Sequence, residues 1–341
     1  MVPLFSLLGV FSTFWGRAMG YRVQAAIAVT IGLAALAAGP SLADGCRLNK
    51  LTSIPVTFEP DGRMLLDGAI NGDPVKLLLY TGSPRTLLEP GYVKSHNLPW
   101  QDDNRIQGYG LTGKALSGFA RIDQITLGDF RYGVQNVAFS NLGGVPGNPV
   151  GLISNDLLEA YDVEIDPAAG KVNMFSPDHC RGQVVYWANE YSKLPLFLNR
   201  IYQPEVEVQV NGETLRARID TGMPITTMRL AVARRLFGIS DAPADTKSHS
   251  TITGTDGVAL DSFAHSFDSL TLGDITLRNT SMQIADIDVA HDAINTGTHM
   301  SGAVRQPDVY IGMSLLRKLH TFIVYSEPAF YFTVADTPKP Q

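Results

Sequence analysis

Residues 215–226 read Leu-Arg-Ala-Arg-Ile-Asp-Thr-Gly-Met-Pro-Ile-Thr, and residues 75–86 read Val-Lys-Leu-Leu-Leu-Tyr-Thr-Gly-Ser-Pro-Arg-Thr. The two stretches lie 140 residues apart in a shared, gapless register. Ile54-Pro55 matches Leu194-Pro195, Asn71-Gly72 matches Asn211-Gly212, and Lys76, Pro84 and Thr86 match Arg216, Pro224 and Thr226. An isolated Asp-Thr-Gly tripeptide says little, but inside a repeated frame it marks an internal duplication, which outranks other sequence signals. One copy carries Asp220; the other carries Tyr80 in its place.

The repeat continues downstream. Ile125-Thr126-Leu127-Gly128-Asp129 recurs as Leu270-Thr271-Leu272-Gly273-Asp274, and residues 151–158 recur as 309–316. Apolar runs follow at 161–175 and 321–334. Each half therefore reads as a hairpin, a Tyr/Asp-Thr-Gly turn, a polar segment, a second hairpin, an apolar glycine motif and closing strands. Residues 205–210 and 214–219 alternate at period two around Asn211-Gly212, the strongest local hairpin signal, and 67–79 repeat it around Asn71-Gly72. Short strands are expected at 134–139 and 280–284, and short helices at 89–96, 229–237, 155–160 and 313–319. The fold class is all-β, with two lobes meeting near 182–193. Residues 107–118, with four glycines, and 246–257, rich in Ser and Thr, are irregular polar stretches; 286–308 read as an inserted surface loop.

The chain has 341 residues, 45% hydrophobic and 18% charged, with a net charge of −6. That is globular composition with length for two cores. The acidic balance and the lack of Lys/Arg blocks exclude nucleic acid as the expected partner. Arg17 and Arg22 precede an apolar stretch at 25–38, and Ser41-Leu42-Ala43 supplies small residues, the layout of a secretory signal with Met1 or Met19 as its start. The alternative is an uncleaved anchor, but the stretch falls short of the ~20 residues a spanning helix needs. Residues 1–43 are thus expected to be removed, leaving 44–185 as the first lobe and 186–341 as the second, in a periplasmic or secreted protein. In an oxidising compartment the two cysteines, Cys46 and Cys180, are expected to pair; the alternatives are two buried thiols or a lipidated Cys46.

Around Asp220 and around Val309-Tyr310-Ile311-Gly312-Met313, together with their upstream counterparts, the sequence resembles the retropepsin-like aspartic peptidases, in a duplicated, secreted bacterial form. The resemblance covers residues 50–335. It implies a bilobal fold of two pseudo-twofold-related, barrel-like lobes. Each lobe then supplies one Asp-Thr-Gly turn to a cleft, and the apolar glycine motif orients that turn. Residues 107–118 become the first lobe's flap tip and 246–257 its second-lobe counterpart, with Tyr109, Gly110, Thr253 and Gly254 as substrate contacts. Ser154 and Val309 depart from the motif, standing where it has glycines.

The chemistry of such a turn can be argued from its residues. The glycine permits close backbone approach. Thr81 and Thr221 bond across the axis. Two carboxylates ~3 Å apart share a proton, so one serves as base toward water while the other donates to the peptide carbonyl. The site is therefore Asp220, Thr221 and Gly222 with Tyr80, Thr81 and Gly82, Tyr80 being the degenerate partner. A phenol of pKa ~10 is a poor base at neutral pH, and its ring fills the water's place, although it retains a proton to donate to Asp220. Asp220, without a like charge beside it, titrates as an ordinary carboxylate unless burial raises its pKa. Two readings stand. One is an aspartic endopeptidase of impaired activity; the other is a non-catalytic protein that binds extended peptides in the same cleft by strand addition. No cofactor is expected. His291, Asp292 and His299, beside Asp286 and Asp288, lack tight ligand spacing, so no metal is expected either. Since each chain holds both lobes, a monomer is expected.

Overall fold

The computed structural model describes residues 47–102, 118–143, 145–239, 249–254, 257, 259–287 and 305–335. The signal segment, Cys46, Tyr109 and Gly110 lie outside the described residues, as do Asp288, His291, Asp292 and His299. No helix among the described residues is long and apolar enough to cross a membrane.

The two Asn-Gly pairs close the hairpins that carry the repeated turns. Asn71 and Gly72 have φ of 52° and 92°, Asn211 and Gly212 of 47° and 86°. Two successive left-handed residues are what a tight turn needs to match the twist of its strands. The hairpins pair Met64–Ile70 with Asp73–Leu79 and Pro204–Val210 with Glu213–Ile219. Leu77, Leu78, Leu79, Ala217 and Ile219 are buried, because these second strands run through the middle of their sheets. Gly151–Ile153 lies parallel to Asp73–Leu79, pairing Ile153 with Leu79, and Val309–Ile311 lies parallel to Glu213–Ile219, pairing Ile311 with Ile219. The amides of Tyr80 and Asp220 then donate to Ile153 and Ile311 carbonyls at 2.9 and 3.0 Å. Each turn therefore leaves its sheet beside an apolar strand of its own lobe.

The halves differ beyond the turn. In the second, Ala259–Leu272 and Ile275–Ala285 form one long hairpin. The first breaks the same path into Gly118–Ile122, Ile125–Leu127, Phe130–Tyr132 and Gln135–Phe139. The polar stretch expected to be irregular contains the edge strand His249–Thr253, paired to Ala259–Leu272 with Thr253 opposite Ala259. Its buried residue Ile252 packs with Met223 and Tyr310, which overrides the polar composition around it. The short helices are Pro90–Ser95, Leu230–Phe237, Asn155–Leu158 and Met313–Leu316, the second ending at Gly238 in the left-handed region.

The lobes are joined by a sheet that neither owns. Its order is Ser192–Pro195, Ala329–Val334, Leu319–Val324, Asp162–Asp166, Lys171–Phe175 and Lys50–Phe58. The last hairpin of the second half thus pairs directly with the closing strands of the first, Val163 opposite Ile323. A buried polar knot fastens that seam. Asp162 accepts from the Ser326 amide at 3.1 Å, the Ser326 hydroxyl at 2.8 Å and His179 Nε2 at 2.6 Å. Cys180 is not a free thiol.

Candidate active site

The shared sheet and the two hairpins bring the repeated turns into reciprocal contact. The Thr81 hydroxyl donates to the Ile219 carbonyl at 2.7 Å, and the Thr221 hydroxyl to that of Leu79 at 2.7 Å. Each also accepts the other's amide, Thr81 N to Thr221 Oγ1 at 3.0 Å and Thr221 N to Thr81 Oγ1 at 3.2 Å. Both threonines are fully buried, so these four bonds satisfy groups that water cannot reach.

The glycines show where the two differing side chains lie. A Cβ on Gly82 would stand 2.0 Å from Asp220 Oδ2, and one on Gly222 would stand 2.3 Å from both Cδ2 and Cε2 of Tyr80. Each turn's glycine is a floor for the other lobe's side chain. Tyr80 covers Gly222 as Asp220 covers Gly82, but with a ring in place of a carboxylate. Tyr80 is half-buried and packs with Leu65, Leu78, Leu142, Val145 and Leu152. Among the described residues, no hydrogen bond joins its hydroxyl to Asp220.

Asp220 is buried, with Oδ1 accepting from the Gly222 and Met223 amides at 3.0 and 3.1 Å. Burial pushes its carboxyl up to about 6, opposed by the Arg218 guanidinium, by those two amides and by Arg63. Burial also lifts the Tyr80 phenol well above its ordinary range, with the charge of Asp220 and the neighbouring Tyr310 adding to it. At neutral pH the site holds one carboxylate and one phenol that does not ionise, so a single group is available as base.

The two turns are supported differently. In the second lobe the support is mainly backbone: Met313 and Ser314 amides donate to the Met223 and Pro224 carbonyls at 2.8 and 2.9 Å, and Ser314 Oγ accepts from the Thr226 amide at 2.9 Å. Gly312 fits because a Cβ there would stand 2.7 Å from the Ile225 carbonyl. In the first lobe the support is side chain. Ser154 Oγ lies 2.6 Å from the Tyr80 carbonyl and 2.8 Å from that of Ser83. Asn155 Nδ2 donates to the Thr81 and Ser83 carbonyls at 2.6 and 2.7 Å. The departure at Ser154 therefore replaces a close backbone approach with hydrogen bonds. Gln203 of the second lobe also donates, through Nε2, to the Gly82 carbonyl. Nothing in the local pattern marks Gln203, whereas Asn155 aligned with Met313 is a polar-for-apolar exchange that the repeat itself displays. Thr253 and Gly254 close the edge hairpin whose Ile252 packs on Met223, with Gly254 accepting from the Gly257 amide at 3.1 Å.

The family model described as aspartyl protease matches residues 66–157 and 206–315, once in each half and over more than half of the chain. The chain belongs to the aspartyl protease family. No curated protein matches it. Among solved structures it is similar to basic 7S globulin from soybean, with a TM-score of 0.44, 12% identity, and coverage of 84% of this chain and 95% of that one. Within the family match lie both turns, both apolar glycine motifs and both Asn-Gly hairpins. Among the described residues no cluster of three or more His, Cys, Asp or Glu side chains is arranged to hold a metal ion.

Proposed function

We propose that this chain is a secreted, periplasmic aspartyl protease relative that binds extended polypeptides between its lobes and cleaves them poorly or not at all. The observation that carries the proposal is the Tyr80 ring seated over Gly222, in the position where the pseudo-twofold axis calls for the second carboxylate. Hydrolysis of a peptide needs a base for the water and an acid for the carbonyl in one step. Asp220 serves as either but not as both. A phenol raised above its ordinary range supplies no base, and its ring takes up the volume of the attacking water. Losing one partner of such a pair costs about 10²–10⁴ in rate. The roles of Asp220, Thr221, Gly222, Thr81 and Gly82 in the site, and of Thr253 and Gly254 in contacting a bound chain, belong to this reading. So do a Cys46–Cys180 disulfide and a monomeric state.

The test uses the natural protein and a mixture of unfolded polypeptides across acidic to neutral pH. Retention of peptides without new termini is the expected outcome. Efficient cleavage that disappears in Asp220→Asn would overturn the impaired reading and make Tyr80 a tolerated or catalytic residue. Neither retention nor cleavage would remove the peptide site altogether.

A further inference from the structure

The tip of the last hairpin belongs to the second lobe by sequence but is seated in the first. The hydroxyl of Tyr325 donates to Asn155 Oδ1 at 2.8 Å, and both side chains are buried. The same Asn155 passes its two Nδ2 protons to the Thr81 and Ser83 carbonyls. Next to Tyr325, Ser326 is fixed on Asp162 through its amide and its hydroxyl, and Glu327 accepts from the Gly182 amide at 2.8 Å. Burial holds the Tyr325 phenol far above its ordinary range, so it keeps its proton at neutral pH. The second lobe has no equivalent, because Met313 occupies the position of Asn155 and brings no side-chain amide.

We propose that Tyr325 is a positioning residue for the first-lobe turn, acting through Asn155 to hold the carbonyls of Thr81 and Ser83 and thereby the placement of Tyr80. The Tyr80 turn thus has a buried side-chain amide on its carbonyls that is itself fixed by the other half, whereas at the Asp220 turn the matching contacts are made by the backbone amides of Met313 and Ser314. The direction of the amide decides the logic. With Tyr325 O–H bonded to Oδ1, the Asn155 carboxamide has one orientation, and both Nδ2 protons face the turn. Removing that hydroxyl leaves Oδ1 buried without its donor and frees the carboxamide to rotate, which withdraws donors from two carbonyls at once. The inference rests on reading the paired turns as the functional site, but its test uses no activity.

The experiment is amide hydrogen exchange on the natural protein, on Tyr325→Phe, and on Asn155→Met, which copies the second lobe's own residue. Both variants are expected to speed exchange of the Thr81 amide by about tenfold or more, the factor that corresponds to one lost buried hydrogen bond. The Gly222 and Met223 amides and the shared sheet should keep their natural rates. A Thr81 amide unchanged in Tyr325→Phe would overturn the proposal. So would equal acceleration of both turns and the sheet, since that is the signature of a plain core residue. A working or failing peptidase leaves either result readable.

Discussion

Asp220 has a proton affinity set against its own ionisation. An ordinary carboxylate releases its proton near pH ~4, whereas burial holds this one to about 6. The folded state therefore binds that proton more tightly than the unfolded chain does. The resulting stability is fully present below pH ~4 and is lost as pH rises through about 6; above this the buried charge costs about 3 kcal/mol, at ~1.4 kcal/mol per unit. An Asn at 220 still accepts from the Gly222 and Met223 amides and carries no charge. Asp220→Asn should match the natural protein at pH 4 and exceed its unfolding free energy by up to about 3 kcal/mol at pH 8, measured by denaturant titration. A difference that does not change with pH would mean that Asp220 does not titrate in this window. At this scale the sequence was legible where the repeat itself marks a residue by giving it a counterpart, as with Thr81 and Thr221 or Asp220 and Tyr80. It was silent on Gln203 and Tyr325, whose partners sit 121 and 170 residues away and are brought close only by the joining of the lobes.

The two turns are fastened to each other by their threonines, each hydroxyl bonding to the other lobe's backbone. Replacing Thr81 by Val removes a donor to the Ile219 carbonyl and an acceptor for the Thr221 amide, leaving two buried backbone groups unpaired. At about 1–3 kcal/mol for each such group, the loss should be about 2–6 kcal/mol, with a similar loss in Thr221→Val because the bonds are mirrored. Thr81→Ser keeps both bonds and should stay near the natural unfolding midpoint. Equal midpoints for the Val and Ser variants would show that the hydroxyls are not what joins the turns. The hairpins were readable at this scale because Asn-Gly fixes a backbone geometry by itself. The strand His249–Thr253 was legible only through the family resemblance, not from its own composition. It lies at a sheet edge, where polar side chains face outward and burial of Ile252 alone supplies the apolar signal.

Over the whole molecule, the duplication predicts two similar lobes and the structure provides them, but it also places three strands of the second half in a sheet with the first half's closing strands. Repetition marks which segments correspond; it does not mark a hairpin that leaves its own lobe to pair across the boundary. Near this seam Cys180 is not a free thiol. A bridge from it to Cys46 would close a loop of more than 100 residues and stabilise the fold by about 4–5 kcal/mol in the chain-entropy treatment. Alkylation of unreduced protein should label neither cysteine, and reduction should expose both. Two thiols that label without reduction would exclude the bridge.

We propose that one side chain, Tyr80, separates this chain from a working peptidase, and the rate of cleavage by Tyr80→Asp decides the matter. A carboxylate at 80 restores both the shared proton and the space for water, so turnover of an unfolded protein should rise by about 10²-fold or more over the natural form. Adding Asp220→Asn should abolish the gain. A Tyr80→Asp protein that folds, keeps its threonine contacts and still cleaves no faster than the natural chain would contradict the claim.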